Sequence, residues 1–342
     1  MRFFESTIIC VLLAVFISSC DSYFEVGELD SEEQLVVYCL PVAGQDTTVI
    51  QLSKSVTLGG SGLPTFGLAG AEINFNVNGE AKDVLWNEEG RGILPPMCYY
   101  SVAKIKAGDV IEVEAAYKGL PKATSRTVIP QSFPVEKVEL TCKPGENVGM
   151  QVRVTFTDPV GSDDYFGVKM VRQEVFQESV GDVVTDVAYR NIVTCDFAFD
   201  DEPILNNKVG LDAALNFDYD YYGYLYIWTD TEIQGRTYTL RMDTSYLTSE
   251  EFSYTNWDGN VTTAKVYYRY KIYLYRLTKE FYSFLKSVND IANNNLGLHG
   301  FAPLRGSYTN VSNGFGVVGG CQISESPWLD SPVDGNSTVW GT

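Results

Sequence analysis

The sequence predicts a mainly β protein made of two antiparallel β domains: an N-terminal sandwich of immunoglobulin or transthyretin type, then a larger β domain with one packed helix near its end. Three observations lead there. Short runs alternate apolar with polar, as in Glu72-Ile-Asn-Phe-Asn-Val77 and Met150-Gln-Val-Arg-Val-Thr-Phe156, the period of a half-buried strand. Gly, Pro and Asn divide these runs every ~8–12 residues, the spacing of a sandwich or barrel. Aromatics make up 13% of the chain, led by 22 Tyr, and with the recurring β-branched residues they favour a pleated surface.

The first domain is expected over residues 34–130. Leu35–Leu40 opens it and Pro41 stops that strand; Thr48–Ser53 follows, then a glycine-rich loop from Gly59 to Gly70. That loop lacks the Lys-Ser/Thr of a phosphate-binding loop and reads as surface. Asn78-Gly79 after Glu72–Val77 is a hairpin signal, and Val110–Tyr117 turns through Lys118-Gly119 into Lys122–Ile129.

Pro130-Gln-Ser-Phe-Pro134 marks the boundary, and the second domain is expected over residues 131–325. Its strands are Val135–Cys142, Met150–Phe156, Phe166–Phe176, Val183–Phe197, Tyr224–Trp228, Thr237–Met242 and Val266–Tyr275. The last has two unlike faces. Val266, Tyr268, Tyr270, Ile272 and Leu274 form the face expected to be buried; Tyr267, Arg269, Lys271, Tyr273 and Tyr275 form an aromatic and basic one. Beyond it the period changes. Leu277, Phe281, Phe284, Leu285, Val288, Ile291 and Ala292 recur at spacings of three and four, predicting an amphipathic helix over residues 278–293 capped by Thr278. Val311–Gln322 reads as a Gly-rich strand, and residues 326–342 as a loose tail.

The N-terminus gives an address. Ile8–Ile17 is an apolar run of ten residues, a helix of only ~15 Å against a hydrocarbon core of ~30 Å. Residues 1–19 therefore read as a signal peptide. Ile17-Ser18-Ser19-Cys20 resembles a bacterial lipobox, which makes Cys20 the expected lipidation site. Residues 20–33 carry six carboxylates and no basic residue, an acidic tether similar to the export signals of Bacteroidota surface lipoproteins.

Composition narrows the chemistry. A formal charge of −19 repels phosphate backbones, so no nucleic-acid partner is expected, and the membrane is reached through the N-terminal lipid. Leaving aside Cys10 and Cys20, five cysteines remain, with Cys39–Cys98 and Cys142–Cys195 as within-domain pairings and buried free thiols as the alternative. There is no CxxC, and the one histidine, His299, sits between glycines in a loop. No catalytic residue, cofactor or metal site is therefore assigned. Asp200, Asp201 and Glu202 offer carboxylates for a hydrolase, the second alternative. Asp196, Asp200, Asp201, Asp218 and Asp220 offer oxygens to calcium, but Thr229 stands where an EF-hand needs its bidentate Glu. Tyr219, Tyr221 and Tyr222, with Tyr267, Tyr273 and Tyr275, are the candidate contacts for a ligand or partner.

Leu277–Ser287 and Tyr308–Gly320, together with Asp200–Leu205 and Trp228–Leu240, resemble the signature of an uncharacterised Bacteroidota lipoprotein family, domain of unknown function 4249. Ala302-Pro303 departs from the Glu-Pro common there. The resemblance implies an outer-membrane lipoprotein, often encoded beside a TonB-dependent transporter, and no known activity. The expected role is a non-enzymatic, surface-exposed accessory or binding subunit of TonB-dependent uptake, ligand unknown; a structural or adhesive surface protein is the first alternative.

Overall fold

A computed structural model describes residues 32–55, 67–90, 92, 94–143, 149–199, 202–205, 221–222, 225–292, 306–332 and 336–341. The leader, Cys20, the tether up to Ser31, Asp200, Asp201, Asp218, Tyr219, Asp220 and His299 lie outside these residues. The described chain is mainly β, in antiparallel sheets, with one helix near the C-terminus.

The first strands are β1 (Leu35–Cys39), β2 (Thr47–Lys54), β3 (Glu72–Val77), β4 (Glu80–Lys82), β5 (Leu85–Asn87), β6 (Cys98–Val102), β7 (Val110–Ala116) and β8 (Ala123–Val128). They form two sheets. β1-β2-β6-β5 faces β4-β3-β7-β8 across a core of Leu35, Val37, Ile50, Leu52, Phe75, Ile111 and Val113. Asn78 (φ 55°) and Gly79 (φ 79°) supply the two left-handed residues of the β3–β4 turn, as Asn-Gly implies.

The second set runs β9 (Lys137–Lys143), β10 (Gly149–Thr157), β11 (Tyr165–Val180), β12 (Val183–Thr194), β13 (Tyr221–Tyr222), β14 (Leu225–Thr229), β15 (Thr237–Ser245), β16 (Glu250–Thr255) and β17 (Val261–Leu277). Helix α1 (Lys279–Ala292) follows, then β18 (Gly314–Val318), β19 (Cys321–Glu325), β20 (Leu329–Asp330) and β21 (Ser337–Gly341). β11 and β17 pair along their length, from Tyr165↔Leu277 to Val180↔Thr262, and anchor an eight-stranded sheet. One face of that sheet packs on β15-β10-β9-β21 through Val152, Val154, Phe156, Phe166, Met170, Trp228, Tyr270, Ile272 and Leu274. Tyr270, Ile272 and Leu274 are buried as expected; Val266 and Tyr268, nearer the strand's start, are half-buried.

Two features differ from the sequence reading. The tail is not loose: β20 pairs with β17, and β21 adds an edge strand to β9 from Ser337↔Thr141 to Gly341↔Lys137. Its alternation, Ser337-Thr-Val-Trp-Gly341, is too short and polar to stand out from loop. The Gly-rich strand, placed by sequence in the second domain, instead splits between the two. β18 lies parallel to β1 in the first sandwich, while β19 joins β17. Gly316 (φ 96°) permits this, because a Cβ there would sit 2.1 Å from the Val37 carbonyl oxygen.

Helix α1 begins as predicted. The Thr278 hydroxyl accepts the Phe281 N–H at 3.2 Å, an N-cap bond, and also the Gly320 N–H at 3.1 Å, tying helix to strand. Its apolar face covers one end of the sheet's outer face, packing Tyr282, Leu285 and Phe281 against Tyr165, Ile227, Leu277 and Cys321. Leu285 is buried whereas Phe281 is half-buried. Leu285→Ala should therefore cost about 2–5 kcal/mol and Phe281→Ala less, measured by denaturant unfolding.

Candidate functional site: the open outer face of the long sheet

Only one end of the outer face is covered by α1. Farther along β17 the same face presents Lys265, Tyr267, Arg269, Lys271 and Tyr273, set across from Gln177, Val175, Gln173, Val171 and Lys169 of β11. β12 flanks β11 there, with Tyr189 opposite Val175 and Ile192 opposite Gln173. Strand alternation sets this sharing between β11 and β17, since every second residue of paired strands falls on one face. A register shift between Gln173 and Val175 lets Tyr189 and Ile192, three residues apart, both pair with residues of that face. Arg269 organises the surface. Its guanidinium lies over the ring of Tyr189 at 4.0 Å and of Trp328 at 4.5 Å, while its Nε and Nη2 donate to the Gln173 side-chain oxygen at 3.0 and 2.6 Å. Lys265 sits over Tyr267 at 5.6 Å, and Lys271 over Tyr273 at 5.5 Å. Each such contact contributes about 0.5–1 kcal/mol at an exposed site.

The surface is apolar, aromatic and cationic on an acidic protein. Tyr189 is 57% exposed and Ile192 61%, and Trp257, in the β16–β17 turn, is fully exposed. Lys271 is paired with Glu325 at 2.9 Å. Lys169, Lys265 and Arg269 form no ion pair among the described residues. Grouped exposed apolar side chains of this kind mark contact surfaces, and the aromatic–arginine mixture is the one that dominates protein interfaces.

A second cluster lies at the sheet's other end, at the loop joining β10 to β11. Asp158, Asp164 and Asp230 bring carboxylate oxygens within 4.8 Å of one another, and all three residues are buried. Arg276, from the end of β17, donates from Nε and Nη2 to Asp164 at 3.0 and 2.6 Å, and from Nη1 to the Gln131 carbonyl at 3.2 Å. Burial is the main reason the Asp158 and Asp230 carboxyls are pushed above the usual carboxylate range, with the neighbouring negative charges adding to it.

A family model described as Domain of unknown function (DUF4249) matches residues 22–326. The chain belongs to this family. Among curated proteins none matches it.

In this family member the five candidate contact residues among those described do not form one site. Tyr267 and Tyr273 line the open face, half-buried beside their cationic neighbours. Tyr275 falls under α1, packed with Ile323 and Cys321, and burial pushes its hydroxyl pKa up to about 12. Tyr221 and Tyr222 form β13, paired with Leu225–Tyr226 at the sheet's edge beside α1; Tyr219 is outside the described residues. Tyr189 and Trp328 escaped the sequence reading, because no local pattern tells which distant strand brings a ring onto Arg269.

The other chemistry-bearing residues are absorbed by packing. Glu202 is 1% exposed and accepts from the Tyr238 hydroxyl and the Arg241 N–H, both at 2.6 Å. Cys39, Cys98, Cys142, Cys195 and Cys321 are free thiols, so neither within-domain pairing forms. Burial pushes Cys39 and Cys321 up to about 12 and Cys195 to about 11, leaving them inert at neutral pH.

The acidic cluster gives a pH signature. Asp158 and Asp230 have folded pKa values above their unfolded ones. The stability they contribute is fully present below the unfolded pKa and is lost as pH rises through the folded one. In chelator, Asp230→Asn, neutral at every pH, should melt higher than the parent at about pH 8. The difference should shrink on acidification, as thermal melts at several pH values will show.

Proposed function

We propose that this protein is a lipid-anchored outer-membrane subunit, held by Cys20 and exposed at the cell surface, that binds a TonB-dependent transporter or its cargo without catalysing a reaction. The observation that carries the reading is the open face on which Arg269 lies between Tyr189 and Trp328. Rigid rings and an arginine supply contact area at low entropic cost, which is how a few residues come to dominate an interface. The uncompensated cations among them suit an acidic partner surface and would steer its approach. The family resemblance to lipoproteins encoded beside such transporters points the same way, as does the lipobox-like Ile17–Cys20. No helix among the described residues is long and apolar enough to cross a membrane, so the proposed anchor is the lipid.

The test is co-purification with the transporter encoded alongside. Tyr189→Ala/Arg269→Ala should weaken capture at least tenfold, a loss of about 1.4 kcal/mol, with circular dichroism unchanged. Cys20→Ala should move the protein from the membrane to the soluble fraction. Undiminished capture by the double variant would remove the open face from the reading, and unchanged membrane attachment of Cys20→Ala would remove the lipid anchor.

A further inference from the structure

The cluster at Asp158, Asp164 and Asp230 plays no part in the proposed partner binding and has charge left over. Its three carboxylates face one guanidinium, and the nearest hydroxyl, Ser162 Oγ, donates to Asp164 at 2.9 Å. Asp158 Oδ2 accepts the Gly235 N–H at 2.7 Å. Its other oxygen, Oδ1, has no hydrogen-bond partner, and neither has Asp230 Oδ2. These are not surface oxygens: Asp158 is 1% exposed and Asp230 4%. A buried carboxylate oxygen without a donor is costly. Both of these belong to carboxylates that bring an oxygen within 4.8 Å of one another and of Asp164, where like charges need a proton or a cation between them.

We propose that Asp158, Asp164 and Asp230 bind one calcium ion. With all three ionised beside Arg276, the cluster's formal charge is −2, which a divalent cation neutralises. Its ligands are oxygens, the donors a hard cation takes. Two Ca–O bonds of ~2.3–2.6 Å span up to ~5 Å, enough for oxygens lying within 4.8 Å of one another, and calcium accepts an irregular set of protein oxygens where magnesium keeps several of its waters. Asp164 brings its carboxylate already fixed by Arg276, and Asp158 and Asp230 add their unpartnered oxygens. Asp158 and Asp164 stand at the two ends of the loop joining β10 to β11, and Asp230 opens the short 3-10 turn after β14. An ion there would fasten that turn to the loop, at the place where Arg276 also holds the Gln131 carbonyl of the linker between the two sandwiches.

This chain's many exposed carboxylates bind calcium weakly, so the test needs a built-in control. Calorimetric titration with CaCl2 after chelator treatment, in 150 mM NaCl, compares the parent with Asp158→Asn, Asp230→Asn and the exposed Asp258→Asn. Asparagine is isosteric with aspartate and removes repulsion from the cluster, so the folded state is retained, as circular dichroism will check. The expected result is one calcium per chain in the parent and in Asp258→Asn, at least tenfold weaker in each cluster variant. A calcium-dependent rise in melting temperature should likewise be absent from Asp230→Asn. No saturable binding by the parent, or equal binding by all four proteins, overturns the proposal and leaves Asp158 and Asp230 as a proton-sharing pair.

Discussion

The pairing of β11 with β17 is the constraint on which the rest depends. Sixteen residues of each strand stay in register from Tyr165↔Leu277 to Val180↔Thr262. Because side chains alternate across a sheet, that one register sorts two functions onto two faces. Phe166, Val168, Met170, Tyr270, Ile272 and Leu274 go to the core, while Tyr267, Arg269, Lys271 and Tyr273 go to the outer face. A slip by one residue would exchange the two sets and bury Arg269 and Lys271. The pair at Arg276 and Asp164, close to the Tyr165↔Leu277 end, helps to fix that register.

Helix α1 completes the division. It covers the outer face where Tyr275, Leu277 and Ile323 are apolar, and stops short of the stretch where cations alternate with rings. The segment after it ties the two sandwiches together. β18 runs beside β1, β19 runs beside β17, and the Gly319 and Cys321 amides donate to the Cys39 and Pro41 carbonyls. The outer face is thus presented by a scaffold braced at one end and open at the other.

Much of this was legible in the sequence, for physical reasons. Strict alternation located β3, β7, β10 and β17 to within a few residues, Asn78-Gly79 marked its turn, and the change of period after Leu277 located α1 together with its cap at Thr278. These signals are local. What escaped was non-local. The parallel seating of β18 on β1 depends on Gly316 meeting Val37, and β16, exposed along its whole length, has no buried face to imprint a period. Likewise the Asp158–Asp164–Asp230 cluster joins residues up to 72 positions apart, and Arg269 meets Tyr189 and Trp328 from opposite directions along the chain.

The central claim is that the aromatic and cationic part of the outer face, beyond α1, is where a partner docks. A photo-reactive amino acid placed at position 189 tests it most directly, with position 102, on the exposed side of β6, as the reference. In membranes that also contain the transporter, irradiation should cross-link the transporter to position 189 and not to position 102. Cross-links from position 102 alone, while the two proteins still co-purify, would contradict the account.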